Sequence, residues 1–293
     1  MAEGIIIKAL SGFYYVEDNQ QIIQCRGRGI FRKNKITPLV GDHVVYQAEN
    51  DKEGYIMEIK ARKNELIRPP IANIDQAILT FSAKEPDFNP VLLDRFLVFI
   101  QYHQITPLIC ITKTDLLTGE EKKEIEERLS VYQKVGYEVI FLSAYSTDGF
   151  EQFRSFIANQ TSVFAGQSGV GKTSLLNALQ PGLELKTSKI SSHLGRGRHT
   201  TRHVEFIRIG DGLIADTPGF SSLEFNEIDI EDLAWTFPEI RNKGKDCKFR
   251  GCFHENEPHC AVKAAVKAGD IDEQRYQHYI QFLTEIKDRK PRY

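Results

Sequence analysis

The sequence predicts a multidomain protein with an N-terminal all-β barrel of the OB-fold type, a central α/β domain and a C-terminal, mainly helical domain. Three observations carry this prediction. Short β-type runs fill the first part of the chain, strand and helix patterns alternate in the middle, and a cysteine and histidine cluster lies within a helical C-terminal region. These changes of pattern place the domain boundaries at residues 1–67, 68–225 and 226–293.

The N-terminal region contains about five short β-type runs, the number that closes an OB-fold barrel. Turn-forming pairs such as Gly41-Asp42 separate the runs. The predicted strands are Gly4–Ala9, Phe13–Val16, Gln21–Cys25, His43–Gln47 and Gly54–Lys60. Arg68-Pro69-Pro70 follows the barrel and predicts a stiff linker.

The central region alternates strand and helix patterns, which is typical of a mainly parallel sheet covered by helices. The predicted strands are Gln76–Ser82, Pro107–Thr112, Tyr137–Ser143, Ser162–Ala165, Val204–Ile209 and Gly212–Ala215. The predicted helices are Leu92–Tyr102, Glu121–Gly136, Phe150–Asn159 and Thr173–Leu179. Residues 183–203 show no clear periodicity, so we expect a mobile loop there.

The C-terminal region is helical in pattern. Five apolar or aromatic residues recur at helical spacing and predict one buried helix face. They are Tyr276, Tyr279, Ile280, Leu283 and Ile286. A basic tail, residues 287–293, follows this helix.

The composition excludes some classes of protein. The chain has 293 residues, 41% of them hydrophobic, and a net charge of -2, so a nucleic-acid contact has to be a local patch. No signal-peptide pattern and no long apolar run is present, so we expect no membrane contact. Five cysteines without a secretory signal favour the reducing cytoplasm. Cys25 and Cys110 lie in predicted strands and are expected to be core residues.

A phosphate-binding loop of the form GxxxxGK[ST] lies between a predicted strand and a predicted helix. Its residues are Gly166, Gln167, Ser168, Gly169, Val170, Gly171, Lys172 and Thr173. The glycines allow main-chain amides to turn around phosphates, and Lys172 can reach the β- and γ-phosphates. The hydroxyl of Thr173 can bind Mg²⁺. The flanking strand and helix make a simple glycine-rich turn the weaker interpretation.

A guanine-selecting motif of the form TKxD precedes this loop in the chain. It consists of Thr112, Lys113, Thr114 and Asp115. The Asp115 carboxylate can accept hydrogen bonds from N1–H and the amino group of guanine, a donor pair that adenine lacks. The stem of Lys113 can lie along the base. Ser143-Ala144 follows the next strand and resembles the short Ser-Ala motif whose main chain contacts guanine O6.

Two further segments have the spacing of the switch regions of a GTPase. Asp216 ends an apolar strand and can hold Mg²⁺ through water, and the amide of Gly219 can meet the γ-phosphate. Thr200 or Thr201 can bind Mg²⁺ in a loop between the phosphate-binding loop and Asp216; the sequence leaves the choice open.

Phe220 occupies the position where many GTPases have a water-orienting glutamine. Phenylalanine cannot orient water, so we expect slow intrinsic hydrolysis unless another group helps. His199 is the candidate for that group, and the alternative is that it only packs or binds RNA.

The order of the motifs is reversed. An ordinary GTPase domain begins with the phosphate-binding loop, whereas here Thr112–Asp115 comes before Gly166–Thr173. This order predicts a circularly permuted GTPase domain with GTP or GDP and Mg²⁺ as ligands.

The C-terminal cluster has the pattern C-x4-C-x-H-x5-C. Three thiolates and one imidazole suit a tetrahedral Zn²⁺, and four protein ligands indicate a structural ion. The candidate ligands are Cys247, Cys252, His254 and Cys260. His259 is the competing histidine ligand.

A basic stretch, residues 25–35, contains five basic residues and Phe31, whose ring can stack on a base. A solvated basic loop is the alternative. Two further basic segments, the arginine-rich loop at residues 195–202 and the tail at residues 287–293, add to this stretch. Together they suggest an RNA partner.

In their order, the motifs Thr112–Asp115, Ser143-Ala144, Gly166–Thr173, His199–Arg202 and Asp216–Phe220 resemble the ribosome small-subunit-dependent GTPase A family of bacteria. The resemblance covers essentially the whole chain, including the four candidate zinc ligands. It implies GTP hydrolysis stimulated by the small (30S) ribosomal subunit, a role in late maturation of that subunit, and contact with 16S rRNA. A cytoplasmic monomer is expected. A nucleotide-gated RNA-binding module and an ATP-using enzyme are the alternatives.

Overall fold

The computed structural model describes residues 1–50, 52–146, 148–180, 204–215 and 223–289. The predicted loop at 183–203 and the end of the basic tail, 290–293, lie outside these ranges. None of the helices within them combines the length and the apolar character needed to cross a bilayer.

The N-terminal region forms a closed five-stranded barrel, as predicted. Its strands are β1 (Ala2–Leu10), β2 (Phe13–Asp18), β3 (Gln21–Gly27), β4 (His43–Ala48) and β5 (Glu53–Ile59). The strand order is β1-β2-β3-β5-β4, with β3 and β5 parallel and β1 pairing with β4 to close the barrel. This strand order is the OB-fold arrangement. A short helix, α1 (Gly29–Lys33), connects β3 to β4.

The basic stretch differs from the prediction in one respect. Phe31 is only 8% exposed and belongs to the barrel core, so its proposed stacking on a base is wrong. The reason is that α1 turns the chain and directs this ring inward, while the basic side chains of the stretch are exposed. Cys25 is buried in the same core, as expected, and Cys110 is buried in the central domain.

The segment after the barrel is not a linker. β6 (Glu65–Leu66) and β7 (Ile71–Ala72) pair antiparallel, and Arg68-Pro69-Pro70 lies in the turn between them. Ile71 and Ala72 are fully buried. The prediction of a stiff spacer is therefore wrong, because apolar residues on both sides of the prolines fold the chain back.

The central region is an α/β sheet with the order β10-β9-β8-β11-β13-β12. Its strands are β8 (Gln76–Ser82), β9 (Thr106–Thr112), β10 (Glu138–Phe141), β11 (Thr161–Ala165), β12 (Phe206–Ile209) and β13 (Gly212–Ala215). All neighbours are parallel except β12, which pairs antiparallel with β13. Every residue of β8 is buried, as expected for a central strand covered on both faces.

Among the described residues of this region, the helices that accompany the sheet are α2 (Pro90–Tyr102), α3 (Gly119–Val135), α4 (Phe150–Ile157) and α5 (Lys172–Leu179). Their ends follow local chemistry. Asn89 caps α2 ahead of a proline, Thr118 and Glu121 form a capping box on α3, and Gly136 ends α3 in the left-handed conformation.

The C-terminal region is mainly helical, as predicted. It contains α6 (Ile230–Leu233), α7 (Pro238–Gly244), α8 (Ala261–Ala268) and α9 (Glu273–Lys287). Tyr279, Leu283 and Ile286 of α9 are buried, whereas Tyr276 and Ile280 are only partly buried. The core includes edge-to-face packing of Phe237 on Tyr279, with 5.5 Å between the ring centroids.

A buried ionic network attaches the C-terminal region to α2. The guanidinium of Arg275 donates to Asp94, and its Nε lies 2.5 Å from Glu239 Oε1. Nδ1 of His278 lies 2.5 Å from the second oxygen of Asp94. The side chain of Arg275 is 3% exposed and that of Asp94 is fully buried. Sequence periodicity gave no signal for these contacts, because a polar residue on a helix is normally read as solvent-facing.

Candidate nucleotide site and metal centre

The predicted nucleotide motifs meet at one edge of the central sheet. β9, β10 and β11 run parallel, so their carboxyl ends lie at the same edge. Lys113 comes directly after β9, Ser143 lies two residues after the end of β10, and Gly166 comes directly after β11. This edge is the usual position of a ligand site in an open α/β sheet.

The phosphate-binding loop has the main-chain conformation that its glycines predict. Gly166, Gly169 and Gly171 have φ values of 144°, 84° and 96°. A Cβ on Gly166 would lie 2.1 Å from the carbonyl oxygen of Thr80, so no side chain fits there. The loop passes directly against β8, and this contact holds it beside the sheet.

Lys172 begins α5 and folds over the loop. Its Nζ lies 2.7 Å from the carbonyl oxygen of Gly166 and 2.7 Å from that of Gln167. The amino-terminal end of α5, which has no side-chain cap, follows directly on the same loop. A cation and a helix N-terminus at a glycine-rich loop are suited to binding phosphate groups.

Thr112 ties the two nucleotide motifs together. Its hydroxyl lies 3.1 Å from the carbonyl oxygen of Phe81 and 2.5 Å from that of Val170. The side chain is 2% exposed. It therefore connects the end of β9 to β8 and to the phosphate-binding loop, a contact that no pattern in the sequence predicts.

Asp115 lies in a 3-10 turn, Thr114–Leu116, and its side chain is exposed at the sheet edge. The hydroxyl of Ser143 donates to Asp115 Oδ1 at 2.5 Å, and the amide of Tyr145 donates to that hydroxyl at 3.1 Å. The side chain of Ser143 thus orients the carboxylate. The sequence predicted only a main-chain contact from Ser143-Ala144, so this role was missed.

The neighbours of Asp115 are also held in place. Lys113 has a left-handed main chain with φ 56°, and its Nζ donates to the carbonyl of Glu85. The hydroxyl of Thr114 lies 3.2 Å from the carbonyl oxygen of Leu142. The turn is therefore fastened to the end of β10 and to the segment after β8.

Several predicted site residues lie outside the described ranges. They are His199, Thr200, Thr201, Asp216 and Gly219, together with Phe220. β13 ends at Ala215, the residue before Asp216. Thr173 lies in the first turn of α5, beside Lys172.

The four predicted metal ligands form one compact group. The candidate ligand atoms of Cys247, Cys252, His254 and Cys260 all lie within 4.8 Å of one another. Nδ1 of His254 is 3.6 Å from the sulfur of Cys247 and 3.4 Å from that of Cys260. His259 is exposed and not part of this group.

The main chain around the cluster is held by α7, α8 and α9. Cys247 follows α7, and Cys260 is the N-cap of α8. From α9, the hydroxyls of Tyr276 and Tyr279 donate to the carbonyls of His254 and Phe253 at 2.7 and 2.8 Å. The cluster is therefore positioned by tertiary contacts as well as by its local sequence.

Burial governs the chemistry of these ligands. It raises the pKa of the Cys252 thiol to about 12 and also raises the pKa of Cys260. Burial lowers the pKa of His254, which keeps its imidazole neutral and able to coordinate. A divalent cation has the opposite effect on the thiols: it favours the thiolate, because a coordinating thiol loses its proton. Three sulfurs and one imidazole nitrogen at this spacing fit Zn²⁺.

The fold and the two sites define a circularly permuted GTPase, flanked by a five-stranded barrel and a helical region with a Cys3His cluster. The RsgA GTPase family model matches residues 59–226, and the RsgA N-terminal domain model matches residues 3–56. The chain belongs to the RsgA GTPase family, whose members are GTP hydrolases.

Relatives with high identity span the full length of the chain. The protein named small ribosomal subunit biogenesis GTPase RsgA from Bacillus cytotoxicus is 63% identical over 293 residues, covering 100% of both chains. The protein of the same name from Bacillus subtilis strain 168 is 61% identical over 298 residues, again covering 100% of both chains.

Two solved structures have the same fold. The crystal structure of YloQ, described as a circularly permuted GTPase, has 57% identity and a TM-score of 0.86 and covers 100% of this chain and 97% of that chain. YjeQ from Thermotoga maritima has 34% identity and a TM-score of 0.87, with 98% and 99% of the two chains covered.

Proposed function

We propose that this GTPase binds the small (30S) ribosomal subunit in the cytoplasm and assists its late maturation. GTP hydrolysis is stimulated by the subunit and coupled to release from it. The observation that carries the proposal is the 63% identity, over the full length of both chains, to a protein named small ribosomal subunit biogenesis GTPase.

Guanine is selected by the turn after β9. Asp115 accepts the two guanine donors, and the hydroxyl of Ser143 holds that carboxylate in place at 2.5 Å. The stem of Lys113 lies along the base. Thr112 and Thr114 hold the turn against neighbouring main chain, and the amide of Ala144 meets guanine O6.

The phosphates are bound by the amides of residues 166–173 and by Lys172. In binding phosphate, Lys172 exchanges its two main-chain carbonyl partners for phosphate oxygens. Thr173 and Asp216, with Thr200 or Thr201, hold Mg²⁺, which neutralises charge on the β- and γ-phosphates when bound. Gly219 donates its amide to the γ-phosphate.

The attacking water is oriented only weakly by the isolated protein. Phe220 has no hydrogen-bonding group, so His199 or a group supplied by the subunit has to position the water. Slow turnover alone and fast turnover on the subunit follow from this arrangement.

The metal centre holds one structural Zn²⁺ through Cys247, Cys252, His254 and Cys260. Four protein ligands leave no position for substrate or water. The ion supports the C-terminal domain, residues 226–293, whereas the barrel (1–67) and the GTPase domain (68–225) share a continuous cluster of buried apolar residues.

The subunit is contacted through 16S rRNA, and the protein acts as a monomer. On the barrel, five exposed basic residues lie around α1 and can bind phosphates. They are Arg26, Arg28, Arg32, Lys33 and Lys35.

The test is hydrolysis of GTP and ATP by the purified protein, alone and with small or large ribosomal subunits. We expect slow GTP turnover alone, strong stimulation by the small subunit only, and no ATP turnover. Lys172→Ala serves as the control that removes phosphate binding. Equal GTP turnover with and without subunits would leave a GTPase but contradict its coupling to the ribosome.

A further inference from the structure

A groove on the C-terminal domain combines exposed aromatic rings with basic side chains. It lies beside the metal centre and has a volume of about 380 Å³. Trp235, Arg241, Lys245, Phe249 and Arg250 line it. Its lining includes three of the candidate zinc ligands, Cys247, Cys252 and His254, but none of the predicted nucleotide-binding residues. The aromatic and basic side chains at its rim have no role in holding the metal.

The aromatic residues are unusual in their exposure. Trp235 is 43% exposed and Phe249 is 45% exposed. Among the phenylalanine, tyrosine and tryptophan side chains that the structure describes, only Tyr145 is more exposed than these two. Rings of this size are normally buried, so two of them lining one groove indicate a surface that binds a flat, apolar partner.

Each ring is accompanied by a cation. The guanidinium of Arg241 lies 5.2 Å from the centre of the Trp235 ring, and Nζ of Lys248 lies 5.7 Å from the centre of the Phe249 ring. A ring has two faces, and each cation covers only one. The exposed fractions of Trp235 and Phe249 leave ring surface free for stacking.

The charge of the segment is strongly biased. Residues 235–251 contain five basic and two acidic residues. Both acidic residues are engaged within the protein, Glu239 with Arg275 and Asp246 with Lys243. Two further carboxylates, Glu231 and Asp232, lie on α6 but do not line the groove. The groove is therefore basic although the whole chain carries a net charge of -2.

We infer that this groove, here called the Trp235 groove, is a binding site for single-stranded RNA, with a base stacked on Trp235 or Phe249 and phosphates bound by Arg241, Lys245 and Arg250. Stacking platforms beside basic side chains are the chemistry that binds unpaired nucleic acid. The inference rests on the proposed function, since unpaired rRNA is the ligand that the ribosomal subunit would supply.

Trp235 makes the site directly observable, because it is the single tryptophan of the chain. The probe is an oligoadenylate RNA, titrated into the full-length protein while tryptophan emission is recorded. We expect saturable quenching by stacking and weaker binding at higher salt. An oligonucleotide with the same sugar-phosphate chain but no bases should bind weakly and should not quench.

Two variants test the ring and the charge. Phe249→Ala should weaken oligoadenylate binding about tenfold, since one stacked base contributes a few kcal/mol at most. Phe249→Tyr keeps the aromatic ring and should bind like the parent. Lys245→Ala should weaken binding less and reduce its salt dependence, whereas the exposed Lys123→Ala, on α3, should change neither. Zinc content and thermal unfolding are measured for each variant to verify that the domain is folded.

Co-sedimentation with small subunits separates this inference from the proposed function. Loss of subunit binding by Phe249→Ala, together with quenching by oligoadenylate, supports the inference. If the parent protein binds subunits but Phe249→Ala binds them equally and oligoadenylate does not quench, the inference is wrong and the proposed function stands. If the parent binds oligoadenylate but no subunits, the proposed function is wrong, whereas the inference that the groove binds RNA is retained. If Phe249→Ala loses subunit binding without any response to RNA, the groove docks a protein and the RNA inference is overturned.

Discussion

The nucleotide site and the metal centre satisfy their polar groups in opposite ways. In the nucleotide site the functional groups have partners within the protein: Lys172 donates to two main-chain carbonyls, and Asp115 accepts from Ser143. In the metal centre three thiols and an imidazole nitrogen crowd within 4.8 Å. Burial raises the pKa of the Cys252 thiol to about 12, which opposes the thiolate that a metal needs.

This difference indicates which ligand is exchanged and which is permanent. Internal hydrogen bonds can be replaced by bonds to a nucleotide at small net cost, which suits a ligand that is bound and released in each cycle. A crowded group of sulfurs gains only from a cation, so its ion belongs to the folded state. Variants of the nucleotide site should therefore change binding, and variants of the metal centre should change stability.

The largest expected effect is at the metal centre. Cys260→Ser replaces a thiolate by a weak ligand, so zinc bound per chain should fall sharply. The C-terminal domain should lose several kcal/mol of stability, a part of the ~10–16 kcal/mol that structural zinc supplies in small domains. Metal analysis and urea unfolding followed by Trp235 emission measure both quantities.

His259→Ala is the matched control for this variant. His259 is exposed and adjacent in sequence to Cys260, but it is not part of the ligand group. Zinc content and the free energy of unfolding should remain those of the parent. Zinc loss in His259→Ala would contradict the assignment of His254.

The next largest effect is expected at the contact between the C-terminal domain and the GTPase domain. Asp94→Ala removes one of the two carboxylates that pair with the buried guanidinium of Arg275, together with the partner of His278, and should lower the free energy of unfolding by about 3–5 kcal/mol. Glu285→Ala removes an exposed partner of Arg95 at the same interface and should cost less than about 1 kcal/mol. If the free energy of unfolding fell equally in the two variants, burial would not determine how much each of these contacts stabilises the protein.

The third effect is on nucleotide choice. Asp115→Asn removes the acceptor for the guanine donors, so GTP affinity should fall by about a hundredfold while the free energy of unfolding is unchanged. Binding of XTP should increase, because the amide can donate to the extra carbonyl of that base. Fluorescent-nucleotide competition measures both affinities. Retained GTP preference would remove Asp115 from its assigned role.

The smallest effect concerns the support of that carboxylate. Ser143→Ala removes the hydroxyl that donates to Asp115 and should weaken GTP binding by about fivefold, the value of one hydrogen bond of ~1 kcal/mol. Ser146→Ala is the control. The Ser146 hydroxyl accepts from the amide of Asp148 at 3.1 Å and does not contact Asp115. A larger loss in Ser146→Ala would mean that turn geometry, and not the hydroxyl of Ser143, positions the carboxylate.

Much of the architecture follows from short-range patterns. The five barrel strands, the alternating strands and helices of the central domain, and the helical C-terminal region agree with periodicity and turn chemistry. The wrong predictions concern segments whose local sequence pattern is compatible with two structures. Phe31 lies among basic residues but packs into the barrel, and Pro69-Pro70 forms a turn between paired strands.

The sequence by itself determined the phosphate-binding loop, the guanine motif, their reversed order and the Cys3His cluster, because each depends on residue types within a few positions of one another. Only the tertiary structure decided how these parts are held. Thr112 reaches Val170, Ser143 reaches Asp115, and Asp94 pairs with Arg275 across 181 positions of sequence. The physical reason is that the energy of a polar contact depends on burial and on distant chain segments brought together by packing, and neither is encoded in local spacing.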